Sequence, residues 1–520
     1  MPSSRLMFRY SMVVAFFSFL ASLSGILVET TIAARLGLSR SSDTFYAAFT
    51  VPYATVNLIG ATGQFTLVPF FSFLNAGRTE DALWHGFSYV INMVLLGASV
   101  IAGAGATLAP WIVRGIAPGF ARSEVLEAAG LCQCLFLIVI PACVAEVFRS
   151  FLLSQHRFAV ASGCTLVRNL TVMVFTILGF HRWGAYSIAF GYLAGVSLQL
   201  VAVAGQTLLS FSVRYSLVLV ARGEVFHKVR SAGVAQVTGA LGWQSVVIAE
   251  RIIASFLPPG TLTALNYGMK IMSTMAELLS GSIGTAALPA LSRAAAHADP
   301  EEEARTFRHM LEIGLTLIAP LTVFCLLLPR PIIRLAFERG NFNPAATSQM
   351  ALVFFFYSLS LPLFAAFRFL IFWLFAHNQA RAYLRLAGLR YALTVAFDLI
   401  YVFGLGTGAE GIPLGLFTGL GIVCAFAAAD NAAGLRGVID RSFALFTLKN
   451  LAGAALAAMG ILALAAWLHR PQTSVQNLVY LLALCGTGSA MFLLGLMISG
   501  AFRLSQVVHP GHREKSGCGG

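Results

Sequence analysis

Apolar windows of twenty or more residues recur along almost the whole chain, fourteen in all, each closed by charge, proline or glycine. An α-helix rises 1.5 Å per residue, so about 20 such residues cross the roughly 30 Å hydrocarbon core of a bilayer. The windows run over 11–35, 43–75, 83–113, 124–154, 158–180, 184–211, 225–257, 261–292, 304–328, 345–376, 382–405, 410–434, 443–468 and 475–500. A soluble fold of this length would need a polar coat, but 58% of the 520 residues are apolar and only 11% are charged. The expected fold is therefore an all-α polytopic membrane protein of about 14 transmembrane helices. The first window follows Arg5 and Arg9 as a signal peptide would. It is longer than a signal-peptide core and lacks a small-residue cleavage site, so it reads as the first span.

The net charge of +13 does not point to nucleic acid, because the basic residues lie singly or in pairs between apolar runs and form no basic tract. They report topology instead. With an even number of spans both termini share a side; loops on that side hold twenty Lys and Arg against nine on the other, which places both termini in the cytoplasm. Of eight cysteines, seven fall within apolar runs and none forms a CxxC pair, so they read as small core residues.

The basic connection at 212–230 divides the first twelve spans into two sets of six, an arrangement suited to paired lobes about a central cavity. The expected divisions are an N-terminal lobe at 1–211, the connection at 212–230, a C-terminal lobe at 231–436, two further helices at 437–502 and a cytoplasmic tail at 503–520. Within 297–309, Asp299 before Pro300 reads as a helix cap. Glycine and proline recur inside spans at 51–69 and 280–293, where helices pack closely or bend.

Ionisable residues inside the spans carry the functional information, since each costs about 2.5–3.5 kcal/mol on insertion scales unless it finds a partner or a hydrated cavity. They are Glu29, Glu146, Arg149, Arg168, Glu250, Arg251, Lys270, Glu277, Arg368, Arg390, Asp398 and Asp430. Glu146 and Arg149, three residues apart, read as a local ion pair. Glu250, Arg251, Lys270 and Glu277 lie on two consecutive spans, with Lys270 and Glu277 two turns apart on one face, and this concentration points to a hydrated cavity. Its Lys and Arg suit a phosphate or pyrophosphate group, while the acids Glu29, Glu250 and Glu277 would hold the cations, carry protons or bind a coupling cation. Thr394 and Asp398 face one way, and with Thr418 on the next span they offer oxygen ligands for Na⁺ or a proton, or else a buried hydrogen bond. No DxD pair, catalytic His/Asp spacing or large extramembrane domain points to an enzyme.

Five stretches in order, DTFYAAFTVP at 43–52, APGF at 117–120, HRFAVASGCTLVRN at 156–169, GTAALPALSR at 284–293 and FERGNF at 337–342, resemble the MurJ/MviN family of lipid II flippases. The resemblance runs along essentially the whole chain. It implies the fold of the multidrug/oligosaccharidyl-lipid/polysaccharide exporter superfamily, with the last two helices forming a groove for a long lipid tail. It further implies an undecaprenyl-pyrophosphate-linked glycan as substrate, moved by alternating access with no cofactor beyond Na⁺ or H⁺ coupling or the membrane potential. The family's arginines of the first two spans fall at Ser22, Val28 and Val56, its acidic-Gly pair falls near Thr62 and Gly63, and its eighth-span arginine becomes Lys270. Asp43 and the acid at Glu29 are kept. The implied substrate-binding set is Lys270, Arg251, Glu29, Asp43, Glu250 and Glu277. An exopolysaccharide or O-antigen repeat unit, or a drug or organic cation on the same scaffold, stands as the alternative cargo.

Overall fold

The computed structural model describes residues 4–77, 79–219, 241–242, 244–297, 300–377, 379–429, 440–469, 471 and 473–500. Asp299, Asp430, Cys518 and most of the 212–230 connection lie outside that set, as does the tail from 501. Helices occupy every apolar window, and no strand occurs among the described residues. In order they are α1 (Ser4–Leu36), α2 (Arg40–Thr62), α3 (Val68–Gly77), α4 (Glu80–Ile116), α5 (Arg122–Phe136), α6 (Val139–Ser154), α7 (Phe158–Trp183) and α8 (Tyr186–Ser210). Then come α9 over 244–254, α10 (Thr261–His297), α11 (Pro300–Leu327), α12 (Pro329–Phe337), α13 (Pro344–Leu359), α14 (Leu361–Ala376), α15 (Ala380–Leu399), α16 (Gly411–Ala429), α17 (Arg441–Trp467) and α18 (Ser474–Ile498). Among the described residues ten spans are long and apolar enough to cross a membrane, eleven counting the bent pair α13–α14. The other three expected windows, 43–75, 225–257 and 261–292, contain α2–α3, α9 and α10.

Three windows each hold two successive α-helices. The second turns from α2 into a π-helical stretch at Gly63–Leu67 before α3. In the fourth, α6 restarts at Val139 just ahead of Pro141, and in the tenth α13 and α14 meet at 43° just ahead of Pro362. Proline lacks the N–H that the preceding turn needs, so it belongs in a helix's first turn. The start of α2 is fixed by a reciprocal cap: the Ser42 N–H donates to Ser39 Oγ at 3.3 Å, and the Ser39 N–H donates to Ser42 Oγ at 3.0 Å.

The chain forms two compact units, Met1–Lys270 with Arg339–Ala346 and Asp398–Ala409, and Ile271–Glu338 with Thr347–Phe397 and Glu410–Gly520. In the first, α7 and α8 pack closely because Gly191 and Gly195 let the backbone of Val172 and Arg168 approach; a Cβ at Gly195 would stand 2.7 Å from the Arg168 carbonyl. A cluster of rings on α3, α4 and α6, with Phe71, Trp84, Phe87 and Phe151 all buried, holds these three helices together. The described start of the connection is docked on α4: the Asn92 amide donates to the Ser216 and Val218 carbonyls at 3.1 Å, and Arg214 pairs with Asp81 at 2.8 Å.

In the second unit α17 and α18 cross at Gly453 and Gly495, where a Cβ on Gly495 would stand 2.8 Å from the Gly453 Cα. The stretch between the ninth and tenth windows, read from sequence as a loop, carries the short α12. The Asn477 amide on α18 donates to the Pro331 carbonyl at 2.9 Å, and this ties α12 to α18. An apolar cavity of about 270 Å³ lies between α11, α14, α16 and the start of α17, walled by Phe307, Phe369 and Phe443.

Candidate functional site

The first unit gathers a polar cluster inside the membrane-spanning helices. Glu29 on α1 is half-buried, and its Oε2 accepts a 2.5 Å hydrogen bond from the Tyr46 hydroxyl of α2. The fully buried ring of Tyr267 meets Tyr46 edge-on at 5.6 Å. The positive charges of Lys270 and Arg251 both act on the Glu29 carboxylate. Along α2, Phe45, Phe49 and Tyr53 stack at the spacing of successive turns, and Phe49 also packs on Tyr192 of α8 at 4.8 Å. The site is thus a carboxylate and a ring of phenols beside two cations.

The expected site residues do not all play one part. Arg251 donates to the Leu262 carbonyl at 2.9 Å and to Asn266 Oδ1 at 2.8 Å, so much of its fork holds the α9–α10 hairpin together. Asp43 is 2% exposed, and its carboxylate accepts the Gly260 N–H at 2.7 Å, the Thr263 N–H at 2.9 Å and the Thr263 hydroxyl at 2.7 Å. These bonds tie the start of α2 to the start of α10. Next to them Gly260, at φ +87°, takes a conformation that favours glycine. The same face is joined by Asn341, whose N–H and side-chain amide donate to the Ala34 and Arg35 carbonyls at 2.8 and 2.6 Å.

Glu250 is buried beside Asp398 of the first unit, close enough for the two carboxylates to act on one another. Neither Asp398 oxygen has a hydrogen-bond partner among the described residues. In the second unit the Thr394 hydroxyl lies against Gly419, where a Cβ would stand 2.7 Å away, and the Thr418 hydroxyl bonds back to the Leu414 and Gly415 carbonyls at 3.0 and 3.1 Å. Glu277, on the exposed side of α10, pairs with Arg368 of α14 at 3.2 Å. The residues Lys270 and Glu277, grouped on one face by spacing, therefore find different partners: Lys270 acts on Glu29, whereas Glu277 bonds to Arg368.

Sequence reasoning missed the phenols. Tyr46, Phe49 and Tyr53 fall at i, i+3 and i+7 of a predicted span, the signal of one helix face, but the Tyr46 hydroxyl acquires meaning only once Glu29 is seen beside it. Glu146 and Arg149 form the local ion pair expected from their spacing, a two-bond contact at 2.8 Å set against the π-helical stretch. A Cβ at Gly63 would stand 2.6 Å from Glu146 Cγ, so glycine there lets the pair approach α2. Among the described residues no group of three or more His, Cys, Asp or Glu side chains is placed to hold a metal ion.

A family model described as "Lipid II flippase MurJ" matches residues 32–484. A "Probable lipid II flippase MurJ" of Rhizobium meliloti (strain 1021) is 25% identical over 388 residues, 72% of this chain and 72% of that protein. Another from Aquifex aeolicus (strain VF5) is 24% identical over 420 residues, covering 80% of this chain and 81% of its own length. Among solved structures, the lipid II flippase MurJ in an inward closed conformation superposes with a TM-score of 0.77 at 16% identity, over 96% of this chain and 100% of that one. An inward-facing multidrug resistance transporter of the MATE family gives 0.70 at 11% identity, over 84% of this chain and 99% of that one. At these identities the structural likeness establishes the fold.

Proposed function

The chain belongs to the lipid II flippase MurJ family, and from that premise we propose that it carries lipid II, an undecaprenyl-pyrophosphate-linked peptidoglycan precursor, from the cytoplasmic to the outer leaflet. The observation that carries this reading is the cluster of Lys270, Glu29 and Tyr46 inside the membrane-spanning helices. A lysine there supplies a mobile, strongly hydrated positive charge that can bond pyrophosphate oxygens, while Glu29 compensates it when no substrate is bound. The prenyl tail stays in lipid along the apolar outer faces of α17 and α18, so no long hydrocarbon crosses water. In this reading both termini face the cytoplasm, as the distribution of basic residues supports.

Transport proceeds by alternating access. The Asp43 clamp on the Gly260–Thr263 turn closes one face and must part when that face opens. Glu250 and Asp398 form the coupling site in place of the Thr394, Asp398 and Thr418 set read from sequence, because two buried neighbouring carboxylates favour a shared proton or a bound cation such as Na⁺. The membrane potential adds about 2.3 kcal/mol per charge per 100 mV to any step that moves charge across.

The test is expression in a bacterium depleted of its own lipid II flippase, with survival and lipid II orientation followed together. Rescue by the unaltered chain and failure of Lys270→Ala at equal membrane abundance is the expected result. Normal flipping by Lys270→Ala would sink the assignment of the headgroup site. Failure of the well-expressed unaltered chain would move the cargo to another polyprenyl-pyrophosphate glycan, such as an exopolysaccharide or O-antigen unit.

A further inference from the structure

Arg168 lies near the middle of the 26-residue α7, where a guanidinium is expensive to keep. Among the described residues its Nε and Nη2 meet the Oδ1 of neighbouring Asn169, each at 3.3 Å, and no carboxylate forms an ion pair with it. The carboxylate whose field it shares, Glu146, has both oxygens occupied by Arg149 at 2.8 Å. Glu146, Arg149 and Arg168 together therefore leave one positive charge over.

The charge is held in place. Asn169 donates to Ser24 Oγ on α1 at 2.8 Å, fixing the oxygen that Arg168 meets, and the close approach of Gly195 pins the Arg168 backbone against α8. It also belongs to the cluster already described, because Tyr192 of α8 lies in the fields of both Arg168 and Glu29. Around these phenols lie the carboxylates Glu29 and Asp43, the latter committed to the Gly260–Thr263 turn, and the cations Arg168, Arg251 and Lys270. With Arg149 committed to Glu146 and much of Arg251 to its own hairpin, Lys270 and Arg168 are the cations placed to meet an anion.

We propose that Arg168 is a second binding residue for the pyrophosphate of the substrate, acting with Lys270, its planar fork bridging two phosphate oxygens. The inference rests on the flippase reading above. It gives the positioned guanidinium, which meets no carboxylate among the described residues, a purpose: bound pyrophosphate supplies the anion that its Asn169 contact does not.

The experiment uses the full chain purified in lipid nanodiscs, with binding of undecaprenyl pyrophosphate, undecaprenyl phosphate and undecaprenol measured by native mass spectrometry. A lost charge-assisted hydrogen bond corresponds to about tenfold to hundredfold in affinity. Arg168→Gln is expected to lose that much for the pyrophosphate, less for the monophosphate and nothing for the alcohol, with Arg168→Lys intermediate. Unchanged pyrophosphate affinity in Arg168→Gln overturns the inference alone. Equal weakening for all three lipids also overturns it, since that is how a residue supporting only the helix packing would behave. If the unaltered chain binds none of the three, the flippase reading falls and the inference with it.

Discussion

Replacing Asp43 by Asn keeps the size of the side chain and removes half of its accepting capacity. In the native arrangement one oxygen takes the Gly260 N–H at 2.7 Å and the other takes the Thr263 N–H and hydroxyl at 2.9 and 2.7 Å. Whichever way the amide is turned, its NH₂ faces a backbone N–H, so one buried donor loses its acceptor and the bonds that remain lose their charge. A hydrogen bond to a charged group contributes about 1.5–3 kcal/mol, and an orphaned buried donor costs a similar amount. Because the two figures overlap, about 2–3 kcal/mol is the expected weakening of the clamp. Local opening governs amide exchange, and 2–3 kcal/mol corresponds to roughly 30-fold to 150-fold faster exchange at Gly260 and Thr263. Hydrogen–deuterium exchange read by mass spectrometry on peptides covering 258–265 measures this directly, with peptides from α17 as the unaffected control. Exchange at 258–265 in Asp43→Asn equal to that of the unaltered chain would refute the clamp.

Two further outcomes follow from particular groups. Asp440 caps α17, and its carboxyl is held below the usual range, first by the Phe443 N–H and then by Ser442 and Arg308. Its contribution is fully present above the ordinary carboxylate value of 3.8 and is lost as the pH falls through the depressed value in the folded chain. Thermal unfolding of the unaltered chain and Asp440→Ala should therefore differ by a constant amount from pH 5 to 8 and converge in stronger acid; a gap that widens in acid would contradict this. Asp398→Asn removes one of two crowded carboxylates. In sodium-free buffer it should unfold at a higher temperature than the unaltered chain while losing any stabilisation by added Na⁺; an equal sodium response in both proteins would remove Asp398 from the coupling site.

The spans were legible in the sequence because hydrocarbon thickness acts on each segment separately: a window is apolar enough or it is not, whatever the rest of the chain does. The breaks at Pro141 and Pro362 have an equally local cause, and even the π-helical stretch has a local trace in Gly63. What could not be read was pairing. Glu29 finds Tyr46 from the next helix, Asp398 finds Glu250 from a helix far earlier in the chain, and Glu277 finds Arg368. A list of intramembrane charges contains all the members of these pairs except Tyr46, but helical spacing relates only residues on one element. The grouping of Lys270 with Glu277 rested on that relation alone, and contacts from other helices divided it. Arg168 was visible as a charge for the same local reason, and its position beside Tyr192 was invisible for the same non-local one.

The identity of the cations matters for turnover. An arginine fork binds a phosphate in two bonds with its geometry already set, whereas a lysine ammonium must give up more hydration and lose more freedom to make its contacts. A carrier that has to release its cargo on the far side gains from holding the headgroup by one of each: the fork orients, and the ammonium can return to its resting partner. Glu29, bonded to Tyr46 and in the field of Lys270, is placed to be that partner. Release then returns the ammonium to a compensated arrangement, and Arg168, held by the neutral Asn169 amide, is the cation left ready for the next headgroup.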